Sequence, residues 1–378
     1  MSVLKSLGLL ATLSLCQLAC ASTPPETETP PVNTGGTGGT GGTGGTTPVA
    51  NGSTPLRMRT GAQSRAVGAA LGTYHFSDPS YRTVAAREFN WLTPENEMKW
   101  DSIGRTEGTF DFSRGDQLVT FAKANGMKVR GHTLVWYQAL PAWVKALSGE
   151  PLRAAMLKHV TTVATHFRGK VDAWDVVNEA FADGSSALRA NSPFTALGVD
   201  YIEQAFRAAR EADPDAKLYY NDYEGEGVGQ PKSEGIYALV KRLKEKGVPI
   251  DGVGLQMHLD PRRMPTVDAI AQNLDRLIAL GLTVNISEMD VPVGQIPGDA
   301  AQKLAVQAKI YGDITALCVA RPACDGITFW GLADKHSWLN DKMWEQYRGA
   351  GPHLPLLFDA DYQPKPAWYA VAGALGPE

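Results

Sequence analysis

Cysteine is scarce in this chain. There are four in 378 residues, and two of them, Cys16 and Cys20, fall in the N-terminal leader. The remaining pair, Cys318 and Cys324 in "CVARPAC", has no neighbouring histidine and is too small a ligand set for a zinc site. It is expected to close a small disulfide loop in an oxidising compartment. No H-E-x-x-H or similar ligand cluster is present, so neither a metal nor an organic cofactor is expected. A basic excess is missing too. Lys and Arg number 36 against 40 Asp and Glu, for a net charge of −4, and they are scattered. That argues against nucleic acid and anionic membranes and points to a neutral partner. Long apolar runs are also lacking: the run over 7–18 is too short for a stable membrane span.

What is present begins with that leader. Residues 1–21 combine Lys5, the apolar run and small residues, the anatomy of a signal peptide. Two endings stay open. Ala19-Cys20-Ala21 is an A-x-A cleavage site leaving Ser22 first, and "LAC" equally resembles a lipobox that would make Cys20 a lipid anchor, with Gln17 where that box usually has Leu. Either ending predicts an exported protein, secreted freely or held at the cell surface. Residues 22–55, rich in Pro and in GGT repeats, have no side chains with which to build a core and read as a tether. The folded part is 56–376, expected to act as a monomer.

Across that part, eight short apolar runs alternate with amphipathic helical patterns. The runs lie at 66–74, 89–96, 128–136, 173–179, 217–223, 252–259, 283–290 and 326–332, and clear helices at 113–126, 199–213 and 267–281. Gly126 and Gly281 end the first and last of these helices, as helix C-termini often do. This alternation predicts parallel strands with crossover helices, and eight units in about 320 residues fit a single (β/α)₈ barrel of the α/β class. A dinucleotide fold loses ground, since no G-x-G-x-x-G follows the first strand.

In such a barrel the chemistry sits at the C-terminal strand ends. Here those ends read Glu95-Asn96, His132 to Trp136, Asn178-Glu179, Asn221-Asp222-Tyr223, Gln256-Met257-His258, Glu288-Met289-Asp290 and Trp330. One polar ending is an ordinary helix cap; seven at one mouth are not. Glu179 and Glu288 close the fourth and seventh strands, which face each other. Two carboxyls about 5–5.5 Å apart are the machinery of a retaining glycosidase. Glu288 is expected to have His258 as a hydrogen-bond donor, oriented by Asp290, to keep it ionised as nucleophile. Glu179 follows "AWDVV", with Trp136 across the cleft, and a less polar pocket would suit it as general acid and later base. Asn221 and Tyr223 support the pair. The other residues have plainer readings beside these: His132 and His258 as satisfied buried histidines, Trp330 and Trp338 as core, Lys99 as a solvated surface charge.

Eight stretches in order match a known family: "TPENEMKW" (93–100), "RGHTLVW" (130–136), "WDVVNEA" (174–180), "YYNDY" (219–223), "GLQMHL" (254–259), "ISEMD" (286–290), "TFWGLADKHSW" (328–338) and "LLFDADYQPKPAWYA" (356–370). On these the domain resembles glycoside hydrolase family 10, the endo-β-1,4-xylanases. The resemblance implies a xylan or xylo-oligosaccharide substrate, Glu179 as acid/base and Glu288 as nucleophile. It implies that Asn178 bonds the 2-hydroxyl of the sugar being cleaved, in a subsite lined by His132, Gln256 and His258. Glu95, Asn96 and Lys99 would hold the next sugar on the non-reducing side, with Trp136, Trp330 and Trp338 as apolar walls. Cys318 and Cys324 match a disulfide found in some members. The chain departs at Tyr137, where the family commonly has His, so local bonding near Trp136 is open. Two rivals remain: a β-1,4-glucanase using the same carboxylates, and a non-catalytic polysaccharide-binding barrel.

Overall fold

A computed structural model describes residues 53–342 and 351–378. The leader and nearly all of the tether lie outside the described residues.

Nine strand segments make one closed parallel sheet: β1 (Ala66–Leu71), β2 (Trp91–Pro94), β3 (Lys128–Gly131), β4 (Val135–Trp136), β5 (Ala173–Asn178), β6 (Lys217–Asp222), β7 (Gly252–Leu255), β8 (Thr283–Met289) and β9 (Cys324–Phe329). β1 pairs with both β2 and β9, which closes the barrel. β3 and β4 share the third of eight positions: Arg130 of β3 is opposite Ala173 and Val135 of β4 opposite Val177, both partners on β5. The expected strand 128–136 is therefore interrupted. At the break Leu134 N–H and the Thr133 hydroxyl both turn to the Asp175 carbonyl, at 3.0 and 2.8 Å.

Every barrel position is followed by one of eight helices of ten or more residues among those described. Such strands are covered on both faces, so they carry continuous rather than alternating apolar sequence; all six residues of β1 and of β5 are buried. The expected helices appear as Ser113–Ala124, Asp200–Ala212 and Val267–Ala279. Helix Asp200–Ala212 buries Tyr201, Ile202, Ala205, Phe206 and Ala209, the stripe a 3.6-residue period lays against a sheet. Emptying the Phe206 site by substitution with Ala costs about 3–5 kcal/mol. Gly126 and Gly281 follow the first and last helix with φ of 61° and 73°, a conformation that strains residues with a Cβ.

Cys318 and Cys324 are disulfide-bonded and tie the last turn of helix Ala300–Val319 to the first residue of β9. That is the N-terminal end of the barrel. The strands' C-terminal ends, at the opposite mouth, carry the polar residues.

Candidate active site

Glu179 sits one residue beyond β5 with φ of 55°, a left-handed conformation unusual for a residue with a side chain. Hydrogen bonds on each side hold the backbone there. Glu179 N–H donates to the Asn221 carbonyl (2.9 Å), Arg189 Nε donates to the Glu179 carbonyl (3.2 Å), and Ala180 N–H donates to the Tyr220 hydroxyl (3.1 Å). The carboxylate is thereby turned from the strand's path into the mouth. It accepts from Trp136 Nε1 (2.9 Å), Gln256 Nε2 (3.1 Å) and Asn178 Nδ2 (3.2 Å). The less polar pocket anticipated from "AWDVV" is thus not what surrounds it: the valines face the core, and three neutral donors face the carboxylate.

Glu288 comes from β8, whose register against β9 slips between Ile286 and Met289. It accepts from Asn221 Nδ2 (2.6 Å), and His258 Nε2 lies 3.3 Å from its other oxygen. His258 Nδ1 lies 2.9 Å from Asp290 Oδ2, so both ring nitrogens face carboxylates and both donate only when the ring is protonated. Burial opposes that charge. Asp290, by charge and hydrogen bond, and then Glu288 outweigh it and push the His258 pKa up to about 10. Trp338 Nε1 donates to the same Asp290 oxygen (2.7 Å).

The two glutamates belong to one network. Asn221 Nδ2 bonds Glu288 and also Asn178 Oδ1 (2.8 Å), while Gln256 Nε2 bonds Glu179 and reaches the same Asn178 oxygen (3.3 Å). Asn178 therefore lies between the carboxylates, with its acceptor already occupied. His132 meets the Trp330 ring edge-on at 5.1 Å. Trp330 is only 7 % exposed and packs between His132 and His258, close to its plainer reading as core; Trp338 is half-buried against His258. A second polar group lies to one side. Lys99 Nζ donates to Asn96 Oδ1 (2.8 Å) and sits 4.9 Å above the Trp136 ring, and Glu95 accepts from the Tyr74 hydroxyl. Tyr223 is set further off, its hydroxyl bonded to Asp183 and Arg189 rather than to either glutamate.

A carboxylate pair from facing strands, bridged by amides and ringed by indoles, suits hydrolysis of a sugar chain. The model of glycosyl hydrolase family 10 matches residues 56–374. This chain belongs to that family. It is 43 % identical over 324 residues to endo-1,4-beta-xylanase B of Thermotoga neapolitana, spanning 84 % of this chain and 90 % of that one. Among solved structures, native xylanase 10B of Thermotoga maritima superposes with a TM-score of 0.79 at 42 % identity, covering 85 % of this chain and 98 % of that one. Xylanase 10B of Thermotoga petrophila in complex with xylobiose gives a TM-score of 0.79 at 42 % identity, with 85 % and 97 % covered. As a family 10 glycoside hydrolase, the protein is an enzyme.

Several residues of this family 10 site were not anticipated from sequence. Asp175, inside β5, is fully buried and accepts from Arg130 Nη2 (2.5 Å) and bonds His132 Nδ1 (3.0 Å), fixing that ring from below. The Arg130 guanidinium brings its pKa below the ordinary carboxylate value despite burial. Removing one partner of such a buried pair costs about 3–5 kcal/mol. Gly254 makes room for this layer, since a Cβ there would lie 2.1 Å from Asn221 Oδ1 and 2.7 Å from Arg130 Nη2. Lys232, also fully buried, pairs with Asp222 at 2.7 Å and lies 3.4 Å from the Tyr223 ring centre. At the departure from the family pattern, the Arg189 guanidinium lies 4.5 Å over the Tyr137 ring. Burial and then the charge of Glu179 push the Tyr137 phenol up to about 12.

Proposed function

We propose that this enzyme is an exported, retaining endo-1,4-β-xylanase. The observation that carries the reading is the unlike pair of carboxylates: Glu179 among neutral donors, Glu288 beside a histidine held cationic by Asp290. Glu288 attacks the anomeric carbon as the glycosidic C–O bond breaks, and the Glu179 carboxylic acid gives its proton to the departing oxygen. The glycosyl-enzyme ester is then opened by water, whose proton goes to the Glu179 carboxylate, and Glu288 leaves as a carboxylate with anomeric configuration retained. Asn178 holds the 2-hydroxyl of the reacting sugar, with His132, Gln256 and His258 around it. Glu95, Asn96 and Lys99 grip the preceding unit. The xylanase names of the relatives and the xylobiose bound by one of them support xylan as substrate. The leader over 1–21 supports export.

The test is reducing-sugar release from xylan against carboxymethylcellulose. Release from xylan alone, or far in excess, is expected; equal or greater release from the cellulose defeats the assignment. Mass spectrometry of the mature N-terminus distinguishes a lipid-modified Cys20 from a chain starting at Ser22.

A further inference from the structure

Tyr74, between β1 and the helix Pro79–Glu88, is 51 % exposed, among the most open of the large apolar side chains described. An exposed tyrosine needs no explanation by itself. This one is fixed at every point. Its hydroxyl donates to Glu95 and accepts weakly from Asn96 Nδ2 at 3.4 Å, the two residues read as gripping a sugar on the non-reducing side. Its ring closes on the bare α-carbon of Gly72, where a Cβ would fall 2.3 Å from Cε1 and Cζ. Its ring meets His75 edge-on with ring centres 4.4 Å apart, and His75 in turn lies tilted against His336 at 3.9 Å. His336 also meets the buried Tyr81 ring edge-on at 5.1 Å, so the row of rings from Tyr74 is backed by the core.

We propose that Tyr74 is a sugar-binding platform, taking the β-1,4-linked xylosyl unit one place beyond the unit held by Glu95, Asn96 and Lys99. The proposal rests on the xylanase reading and deepens it. Tyr74's hydroxyl end is anchored at the Glu95 carboxylate and its ring extends away from it, so a chain lying along Glu95 meets the ring next. Pyranose C–H faces bury well against an aromatic ring. A ring already held by Gly72, His75 and Glu95 has little freedom left to lose on binding.

The test compares aryl β-xylobioside, which ends at Glu95, with aryl β-xylotrioside, which reaches Tyr74. The quantity read is the ratio of their kcat/KM values. In Tyr74→Ala the trioside-to-bioside ratio is expected to fall about five- to tenfold, the size of one aromatic contact. Tyr74→Phe, which keeps the ring and loses the hydroxyl, is expected to retain most of it. Activity on the bioside confirms that each variant is folded, and Tyr74→Leu replaces the alanine variant should that one fail to fold. A ratio unchanged in Tyr74→Ala overturns the proposal. So does an equal loss on both glycosides, which would mean that Tyr74 acts only by positioning Glu95. A wild-type enzyme inert on both glycosides and on xylan removes the xylanase reading itself, and the platform with it.

Discussion

The two sides of the mouth hold the same functional group in opposite ways. On the β5 side, Glu179 is met by an indole, a carboxamide and a neighbouring asparagine, all neutral and all donors. On the β8 side, Glu288 is met by Asn221 and by a histidine charged by its own partner, Asp290. A fixed cation stabilises a carboxylate through every step in which it is charged. Neutral donors can serve either protonation state by small reorientation. The side with the permanent charge suits a nucleophile that must stay ionised; the neutral side suits a group that gives up a proton and takes one back.

The largest expected effects separate the two sides chemically. With Glu288 as the proposed nucleophile, Glu288→Ala is expected to lower turnover by at least about 10⁴-fold on every substrate. Added azide should restore activity and yield the α-glycosyl azide. Glu179→Ala should differ in kind. An aryl xylobioside with a dinitrophenyl leaving group needs no acid, so its first step stays fast and a burst of phenol precedes slow deacylation. Azide should then give the β-glycosyl azide. Product configuration by NMR reads the difference, and the reverse pattern would exchange the two roles.

Next in size is the cation. His258→Asn keeps a donor but removes the charge beside Glu288, and a loss in kcat/KM of about 10²–10³-fold is expected. The same residue leaves a mark on stability. A free imidazole titrates near 6.5, whereas His258 titrates near 10 in the fold. Its pairing therefore stabilises the native state fully below about pH 6.5 and is lost as pH rises through about 10. Urea midpoints should fall between pH 7 and 10 in the wild type and fall less in His258→Asn; parallel curves would show that His258 is not held charged.

How much of this could be read from sequence depends on where the partners come from. Glu179 and Glu288 were legible because they end buried apolar runs on facing strands, at a mouth with more polar endings than helix capping uses. His258 and Asp290 were legible because they end neighbouring strands, β7 and β8, at the same height. The surroundings of Glu179 were not. Trp136 and Gln256 are expected near the cleft, but they lie 43 and 77 residues away, and the adjacent valines give no hint that both would donate to this carboxylate. Asp175 carries a signal in the sequence, a charge inside the buried run of β5. Lys232 and Arg189 carried none, since burial on a helix and on a loop is decided by what packs over them. Trp330 reads equally as core or as an apolar wall, because a strand-end position does not reveal that two histidines close around the ring.

A smaller change probes the neutral side. Trp136→Phe keeps the aromatic wall and deletes the Nε1–H that bonds Glu179. Loss of one neutral hydrogen bond is worth about 1 kcal/mol, so kcat/KM on a substrate with a poor leaving group should fall about fivefold. On the dinitrophenyl substrate, which needs no acid, the fall should be smaller. Equal loss on both would mean that the indole acts as a wall for the sugar and not through Glu179.

The smallest effect belongs at the other end of the barrel. The Cys318–Cys324 bond spans six positions at the start of β9, far along the strand from Glu288's end of the sheet. Closing so short a loop restricts the unfolded chain by about 2 kcal/mol. In a domain this large that corresponds to a fall in melting temperature of a few degrees. The double variant Cys318→Ser, Cys324→Ser should therefore melt slightly earlier and keep the wild-type kcat/KM and pH profile. Activity is set at the C-terminal strand ends, where β5 and β8 deliver their glutamates, and the bond acts at the opposite ends. A loss of activity larger than the loss of stability would show that strain at the base of β9 reaches Trp330 and the histidines packed on it.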